Sequence, residues 1–259
     1  MEPPVSPPGQ TSSQPDAAQP EPALDPSPPP GEARAPLAPE GRANSPAVPS
    51  RYAPLWAPLD ETAAKIQIFT NDREEDWRLG TEQDHARVRP HYDSGSTVLD
   101  LGCGIGRLAA VVAPRCRALW AVDVSPQMLT LAAKRLAACR NIRYVLCQDT
   151  AFPDVPDQSI DLAYCLLVMQ HLELEDSFLL LEELRRVTRP SGTIVVTYPN
   201  LLSDFYLDCF VAYAHRGAAT EMARARIYTP QEVDRLMTAA GFRAEITAET
   251  EIRVVARPI

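Results

Sequence analysis

No run of about 18 apolar residues occurs in this 259-residue chain, so nothing in it reads as a membrane-spanning helix. There is also no Cys-x-x-Cys pair. The six cysteines (Cys103, Cys116, Cys139, Cys147, Cys165 and Cys209) are scattered and sit mostly in apolar segments. That excludes a structural zinc site and suits reduced thiols in the cytoplasm. The four histidines (His85, His91, His171 and His215) have no metal-ligand spacing, so no metal is expected. The start lacks a basic region and an apolar run. Glu2 and the prolines at 3, 4, 7 and 8 stand there instead, which argues against a signal peptide. Positive charge is in short supply, with a formal net charge of −9. Binding to nucleic acid through neutralised phosphates is therefore not expected. Arg185, Arg186 and Arg189 do cluster, but at a helix end, where they complement the dipole.

The first 50 residues contain no aromatic residue, yet hold 15 of the 26 prolines. Such a segment cannot bury enough apolar surface to offset its ordering entropy. Residues 1–50 are expected to be a disordered Pro-rich tail. A solvated spacer is the simple role, and weak recognition of its proline-rich stretches by a partner is the alternative. Residues 51–259 are long enough for one domain with a sizeable core.

Residues 51–94 read as a helical cap, with helices over 60–71 and 73–88 and a stop at Pro90. From residue 97 strands and helices alternate. Strands are expected at 97–101, 118–122, 142–147, 160–165 and 193–197. Helices are expected at 106–113, 126–139 and 174–187, with a tight turn at Pro190-Ser191-Gly192. Ser125 before Pro126 reads as an N-cap with proline at the first helical position. A helix over 230–240 closed by Gly241 precedes strands at 242–247 and 252–256. The gap between those last strands is too short for a crossover, so they must pair antiparallel. The expected fold is α/β: a Rossmann-like doubly wound sheet, mostly parallel, with a C-terminal antiparallel hairpin.

The stretch Thr97-Val98-Leu99-Asp100-Leu101-Gly102-Cys103-Gly104-Ile105-Gly106-Arg107-Leu108 carries the chemistry. An apolar run ends in an acid, glycines fall at alternate positions, and a helical pattern begins. Glycine permits a sharp turn and close approach of a ligand. A dinucleotide fingerprint fits Gly104-x-Gly106-x-x-Ala109 as well. Asp123 ends the second strand, where a carboxylate can accept hydrogen bonds from two ribose hydroxyls. Asp149 lies just past the third. Three acids at or past three strand ends, together with the final hairpin, resemble the class I S-adenosylmethionine-dependent methyltransferases, in particular the small-molecule and quinone-biosynthesis group.

The resemblance implies S-adenosylmethionine as cofactor and transfer of its methyl group to a small-molecule acceptor. Asp100 would hold the amino acid end of the cofactor beside Gly102, Cys103, Gly104 and Gly106. Asp123 would take the ribose, Val124 and Met128 would cover the adenine, and Asp149 would accept from the adenine amino group. The backbone amide of Thr150 would meet the ring, and Cys165 and Leu166 would pass close by. His171, in the Gln170-His171-Leu172 run after the fourth strand, is a candidate general base whose free imidazole titrates near neutrality. Packing at a helix start is the alternative for it. Tyr198, after the fifth strand, is a candidate polar group facing the transferred methyl. Residues 201–227, with Phe205, Tyr206, Phe210, Tyr213 and His215, read as a lid or substrate insertion, with Trp77 and Tyr92 closing the other side. Two other functions fit the glycine loop: a nicotinamide-dependent oxidoreductase and a non-catalytic cofactor-binding scaffold.

Overall fold

The computed structural model describes residues 50–69, 72–216 and 225–259. The expected tail, apart from Ser50, lies outside the described residues, as do Thr70, Asn71 and residues 217–224 of the expected insertion.

Seven strands form one sheet: β1 (Thr97–Leu101), β2 (Ala118–Asp123), β3 (Ile142–Leu146), β4 (Ile160–Cys165), β5 (Thr188–Pro199), β6 (Phe242–Ala248) and β7 (Glu251–Pro258). The order across the sheet is β3-β2-β1-β4-β5-β7-β6. The first five strands are parallel, and β7 runs antiparallel between β5 and β6. Among the described residues the helices are α1 (Glu61–Phe69), α2 (Glu74–Val88), α3 (Ala109–Val112), α4 (Pro126–Arg135), α5 (Leu174–Val187), α6 (Asp204–Arg216) and α7 (Pro230–Ala239).

Every residue of β1 is buried, which is why it reads as an unbroken apolar run rather than an alternating one. Its side chains divide between two layers. Leu99 and Leu101 join a cluster with Leu180, Leu181 and Leu184 of α5. Val98 joins Val112 of α3 and Val88 of α2 on the opposite face. The chain winds outward from β1 in one direction through β2 and β3 and in the other through β4 and β5. The carboxyl ends of β1 and β4 therefore flank a switch point, the place where open α/β sheets bind ligands.

Three expected elements differ in extent. The helix expected at 106–113 is only Ala109–Val112, followed by a 3-10 turn over Ala113–Arg115. Gly106 has φ +76°, a left-handed conformation that delays the helix start. The helix from Pro126 ends at Arg135 rather than at Cys139. Pro190-Ser191-Gly192 is not a turn ahead of a strand but part of β5 itself. Ile160 faces Thr188 while Leu162 already faces Thr193, so the extra residues form a bulge. A Cβ on Gly192 would lie 2.9 Å from the Ile160 carbonyl oxygen, so the bulge requires glycine at that point.

Helix α7 begins with a reciprocal cap. Thr229 Oγ1 accepts from the Glu232 amide at 3.3 Å, and Glu232 Oε2 accepts from the Thr229 amide at 2.8 Å. Thr229→Ala removes both the cap oxygen and the geometry of the box. We expect a loss of about 1 kcal/mol, read as a fall of roughly 2–4 °C in Tm by scanning calorimetry. An unchanged Tm would show that packing of Val233 and Met237 alone fixes this helix.

Candidate active site

One cavity lies over the carboxyl ends of β1, β2 and β4. Gly102 turns the chain out of β1 with φ +76°, and its own amide and that of Cys103 both donate to the Val122 carbonyl at the end of β2. A Cβ on Gly102 would come within 2.2 Å of Val168 Cγ2, so strand and loop approach here as only glycine allows. Asp123 ties the same loop to α4. Its Oδ2 accepts from the Gly104 amide at 2.8 Å and its Oδ1 from the Ser125 amide at 2.9 Å. Ser125 in turn caps α4, accepting from the Met128 amide at 3.1 Å. Burial pushes the Asp123 carboxyl up to about 6 against these hydrogen bonds, which favour its charge.

Asp100 differs from Asp123. It is buried, yet its Oδ2 has no hydrogen-bond partner among the described residues. Burial pushes its carboxyl up to about 7, with Tyr164 and Arg107 pulling it partly back. Gln67 Oε1 and His171 Nδ1 line the same cavity and are likewise buried without partners. Unpaired polar atoms in a buried position cost stability unless something meets them. With the Tyr164 hydroxyl, also buried without a partner, four such atoms belong to residues lining this one cavity.

Of the residues singled out in the sequence, the structure gathers Asp100, Gly102, Cys103, Gly104, Asp123, Val124, Met128, Asp149, Leu166 and His171 around this cavity. Asp149 is exposed at its rim and left-handed, with φ +57°. Four others do not line it. Gly106 packs on Leu136, Thr150 is buried beneath the loop, and Cys165 lies in the core. Tyr198 is buried as well, its ring edge-on to Tyr228 at 4.9 Å between centroids. It sits there because β5 extends to Pro199, so Tyr198 is an inward-facing strand residue rather than a group on the edge. Trp77 packs with Ile105 and Met128, and Tyr92 hydrogen-bonds His85 at 2.8 Å, so neither reaches the cavity. The aromatics Phe205 and Phe210 on α6 are exposed, and α6 has no buried residue.

Tyr52, Trp56, Gln67 and Ile68 form the cover on the side where Trp77 and Tyr92 were expected. The Tyr52 hydroxyl accepts from the Glu173 amide at 2.9 Å and donates to Asp176, which Arg51 also pairs. Two aromatics among the prolines of residues 52–58 were the signal available for this. Arg107 also lines the cavity and forms a buried ion pair with Asp84 of α2.

His171 sits in a 3-10 turn with the Trp56 ring edge-on at 4.9 Å. Its Nε2 lies 3.2 Å from Gln170 Nε2. Burial lowers its imidazole to about 4 rather than leaving it near neutrality. The ring is therefore neutral at physiological pH and a weak proton acceptor. Among the described residues no group of His, Cys, Asp or Glu side chains gathers as a metal site, and no helix is long and apolar enough to cross a membrane.

A glycine-rich turn and strand-end carboxylates at a switch point define a nucleoside-cofactor fold. Comparison with known proteins narrows the class. Residues 98–192 match the family described as methyltransferase domain. Trans-aconitate 2-methyltransferase of Methylobacterium nodulans is 32% identical over 186 residues, covering 66% of this chain and 69% of that protein. Malonyl-[acyl-carrier protein] O-methyltransferase of Serratia marcescens is 36% identical over 101 residues, 39% of this chain and 37% of that protein. Demethylmenaquinone methyltransferase of Tropheryma whipplei is 34% identical over 104 residues, 40% of this chain and 41% of that one. The matches to these last two span only about two fifths of their length. In fold, the chain is similar to the PH0226 protein of Pyrococcus horikoshii, with a TM-score of 0.58 and 18% identity over 75% of this chain and 96% of that one. It is also similar to magnesium protoporphyrin IX methyltransferase of Synechocystis, solved with bound SAH, with a TM-score of 0.56 and 18% identity over 71% and 86%. The chain belongs to the class I S-adenosylmethionine-dependent methyltransferases, and its cofactor is S-adenosylmethionine. This removes the nicotinamide reading of the glycine loop.

The Asp100 carboxyl generates a stability prediction. Its folded pKa of about 7 lies above the ordinary value of 3.8. Between those values the folded state holds a proton that the unfolded state has released. Stability contributed at this site therefore falls as pH rises, and the penalty is complete above about 7. Asp100→Asn relieves it. We expect Tm to rise by several degrees at pH 8 (roughly 2–4 °C per kcal/mol), with almost no gain at pH 4. A gain independent of pH would mean that the carboxyl is not desolvated.

Proposed function

We propose that this chain transfers the methyl group of S-adenosylmethionine to a small-molecule acceptor. The supporting observation is the set of unpaired buried atoms, Asp100 Oδ2, Gln67 Oε1, Tyr164 Oη and His171 Nδ1, on residues lining one cavity with the strand-end carboxylate of Asp123. When bound, the cofactor supplies an electrophilic methyl carbon on a positively charged sulfur. Asp100 would take the ammonium end, since an unsatisfied buried carboxylate gains most from a cation. Asp123 would accept from the ribose hydroxyls with the lone pairs that Gly104 and Ser125 leave free. Val124 and Met128 supply an apolar wall for the base, and Asp149 at the rim a hydrogen-bond acceptor. Tyr52, Trp56 and Ile68 exclude water from above. The names of the relatives support a small acceptor, trans-aconitate among them. The free state of the cysteines supports a cytosolic protein.

With His171 lowered to about 4, alignment of acceptor and methyl carbon contributes more than proton removal. His171 would then orient the acceptor by a hydrogen bond. Titration calorimetry with S-adenosylmethionine and NAD tests cofactor choice, and formation of S-adenosylhomocysteine in the presence of a small-metabolite extract tests turnover. Tight binding of NAD, or no turnover with any extract, would overturn the proposal.

Two outcomes follow from the carboxyls and the imidazole. Asp100 and Asp123 must ionise to hold the cofactor, and their folded values are about 7 and about 6. S-adenosylhomocysteine affinity should therefore rise between pH 5.5 and 7.5, by up to about tenfold per unit for each carboxyl still protonated. Protons should be released on binding at pH 6, read from heats in buffers of different ionisation enthalpy. Affinity flat across that range would refute the assignment of both carboxyls. At saturating S-adenosylmethionine, where both carboxyls are held ionised, a rate that depends on His171 should show no inflection between pH 6 and 8. His171→Ala should leave S-adenosylhomocysteine affinity within about twofold while turnover falls by less than the roughly 10²–10⁴-fold of a lost general base. A larger loss together with an inflection near neutrality would make His171 the base.

A further inference from the structure

A second cavity opens beside the first, between α2, α6 and the β6–β7 hairpin. Its volume of about 380 Å³ is within the size range of small-ligand sites. The two cavities share Leu167, and they meet across the Arg107–Asp84 ion pair, Arg107 lining the first and Asp84 the second. Leu167 is left-handed with φ +61°, held by its amide donating to Thr197 Oγ1 at 3.2 Å. That conformation is disfavoured for a residue with a branched side chain, and such strain concentrates where backbone is shaped for a ligand.

The charges in the second cavity are not all matched. Arg87 bridges Asp84 at 3.0 Å and Glu251 at 2.7 Å, and Arg107 also pairs Asp84. Those two acids and two bases satisfy one another. Glu249 is exposed at the end of the hairpin, where water screens it. Arg253 is different. It stands on β7 opposite Thr197, half-buried, and its guanidinium has no hydrogen-bond or ion-pair partner among the described residues. The Tyr206 and Thr250 side chains line the same space.

We propose that this second cavity is the acceptor site, and that Arg253 holds a carboxylate of the acceptor while its nucleophilic atom reaches past Leu167 to the methyl carbon. This rests on the methyltransferase reading and adds the substrate class, a small carboxylic acid. A planar guanidinium takes a carboxylate in two parallel hydrogen bonds, which fixes orientation as well as charge. The hydroxyls of Tyr206 and Thr250 can complete the remaining carboxylate contacts.

The test uses the full chain saturated with S-adenosylhomocysteine, and two probe acids of different shape, trans-aconitate and benzoate, each against its neutral amide. Calorimetry should detect at least one acid and neither amide. Arg253→Met should weaken that acid at least tenfold, and Arg253→Lys, which keeps the charge, should weaken it less. All three proteins should bind S-adenosylhomocysteine equally, which also reports that the variants are folded. Thr250→Val, on the exposed hairpin, offers a second reading if Arg253→Met fails to fold, and should cost a smaller factor. Acid binding unmoved by both substitutions, binding of the amides as tightly as the acids, or no binding of either acid would overturn the receptor while leaving the methyltransferase reading intact. Failure of the wild-type chain to bind S-adenosylhomocysteine would instead overturn that reading itself.

Discussion

The Asp123 carboxylate ties together three parts of this molecule at a single buried point. One oxygen takes the amide of Gly104 and the other the amide of Ser125, so the end of β2, the glycine turn after β1 and the start of α4 share one hydrogen-bonded point. The Val122 carbonyl adds two further bonds from the turn. Hydrogen bonds to a charged group are stronger than neutral ones, and here they are made in a buried site where a lost partner is costly. The cavity inherits its floor from this arrangement. Gly104 can present its backbone because its amide is directed at Asp123, and Met128 is placed because Ser125 caps the helix that carries it.

Asp100 is the counterpart that this frame leaves unsatisfied. It is buried by the same strand that Asp123 abuts, but no amide is turned toward its Oδ2. The protein tolerates an acid near neutrality in its titration, at the end of a strand that would be more stable with an uncharged residue. Such a cost has a use when the ligand brings a cation, because the desolvation that penalises the empty carboxylate strengthens the ion pair formed with it. The same reasoning applies to Leu167, which stores backbone strain between the two cavities. The left-handed residues Gly102, Gly104, Gly106, Asp149 and Leu167 likewise follow strands at this end of the sheet.

The sequence made the frame legible because the frame depends on short-range chemistry. Apolar runs the length of a strand, the serine and proline ahead of α4, and the glycines after β1 each have a local cause. The short gap before β7 forced an antiparallel pair. What could not be read was set by tertiary position. Pro190 to Gly192 carry turn residues, yet pairing with β4 absorbs them as a bulge. Tyr198 carries a reactive group, yet the length of β5 buries it against Tyr228. His171 was found at the cavity, but its imidazole near 4 is a consequence of the Trp56 ring and the surrounding cover, which lies more than a hundred residues away in sequence. Tyr52 and Trp56 stand out only as aromatics among prolines, and Gln67 has no local mark at all, because what makes them a cover is their tertiary position.

The two cavities have opposite electrostatic deficits, and this bears on how they work together. The first leaves the Asp100 carboxyl without a partner at Oδ2, and the second leaves the Arg253 guanidinium without one. Between them the Arg107–Asp84 pair presents its cation to the first cavity and its anion to the second. A cofactor carrying positive charge and an acceptor carrying negative charge would each find an unmatched group of opposite sign, and would be drawn toward each other across Leu167. Charge neutralises in the reaction as the sulfur loses its positive charge.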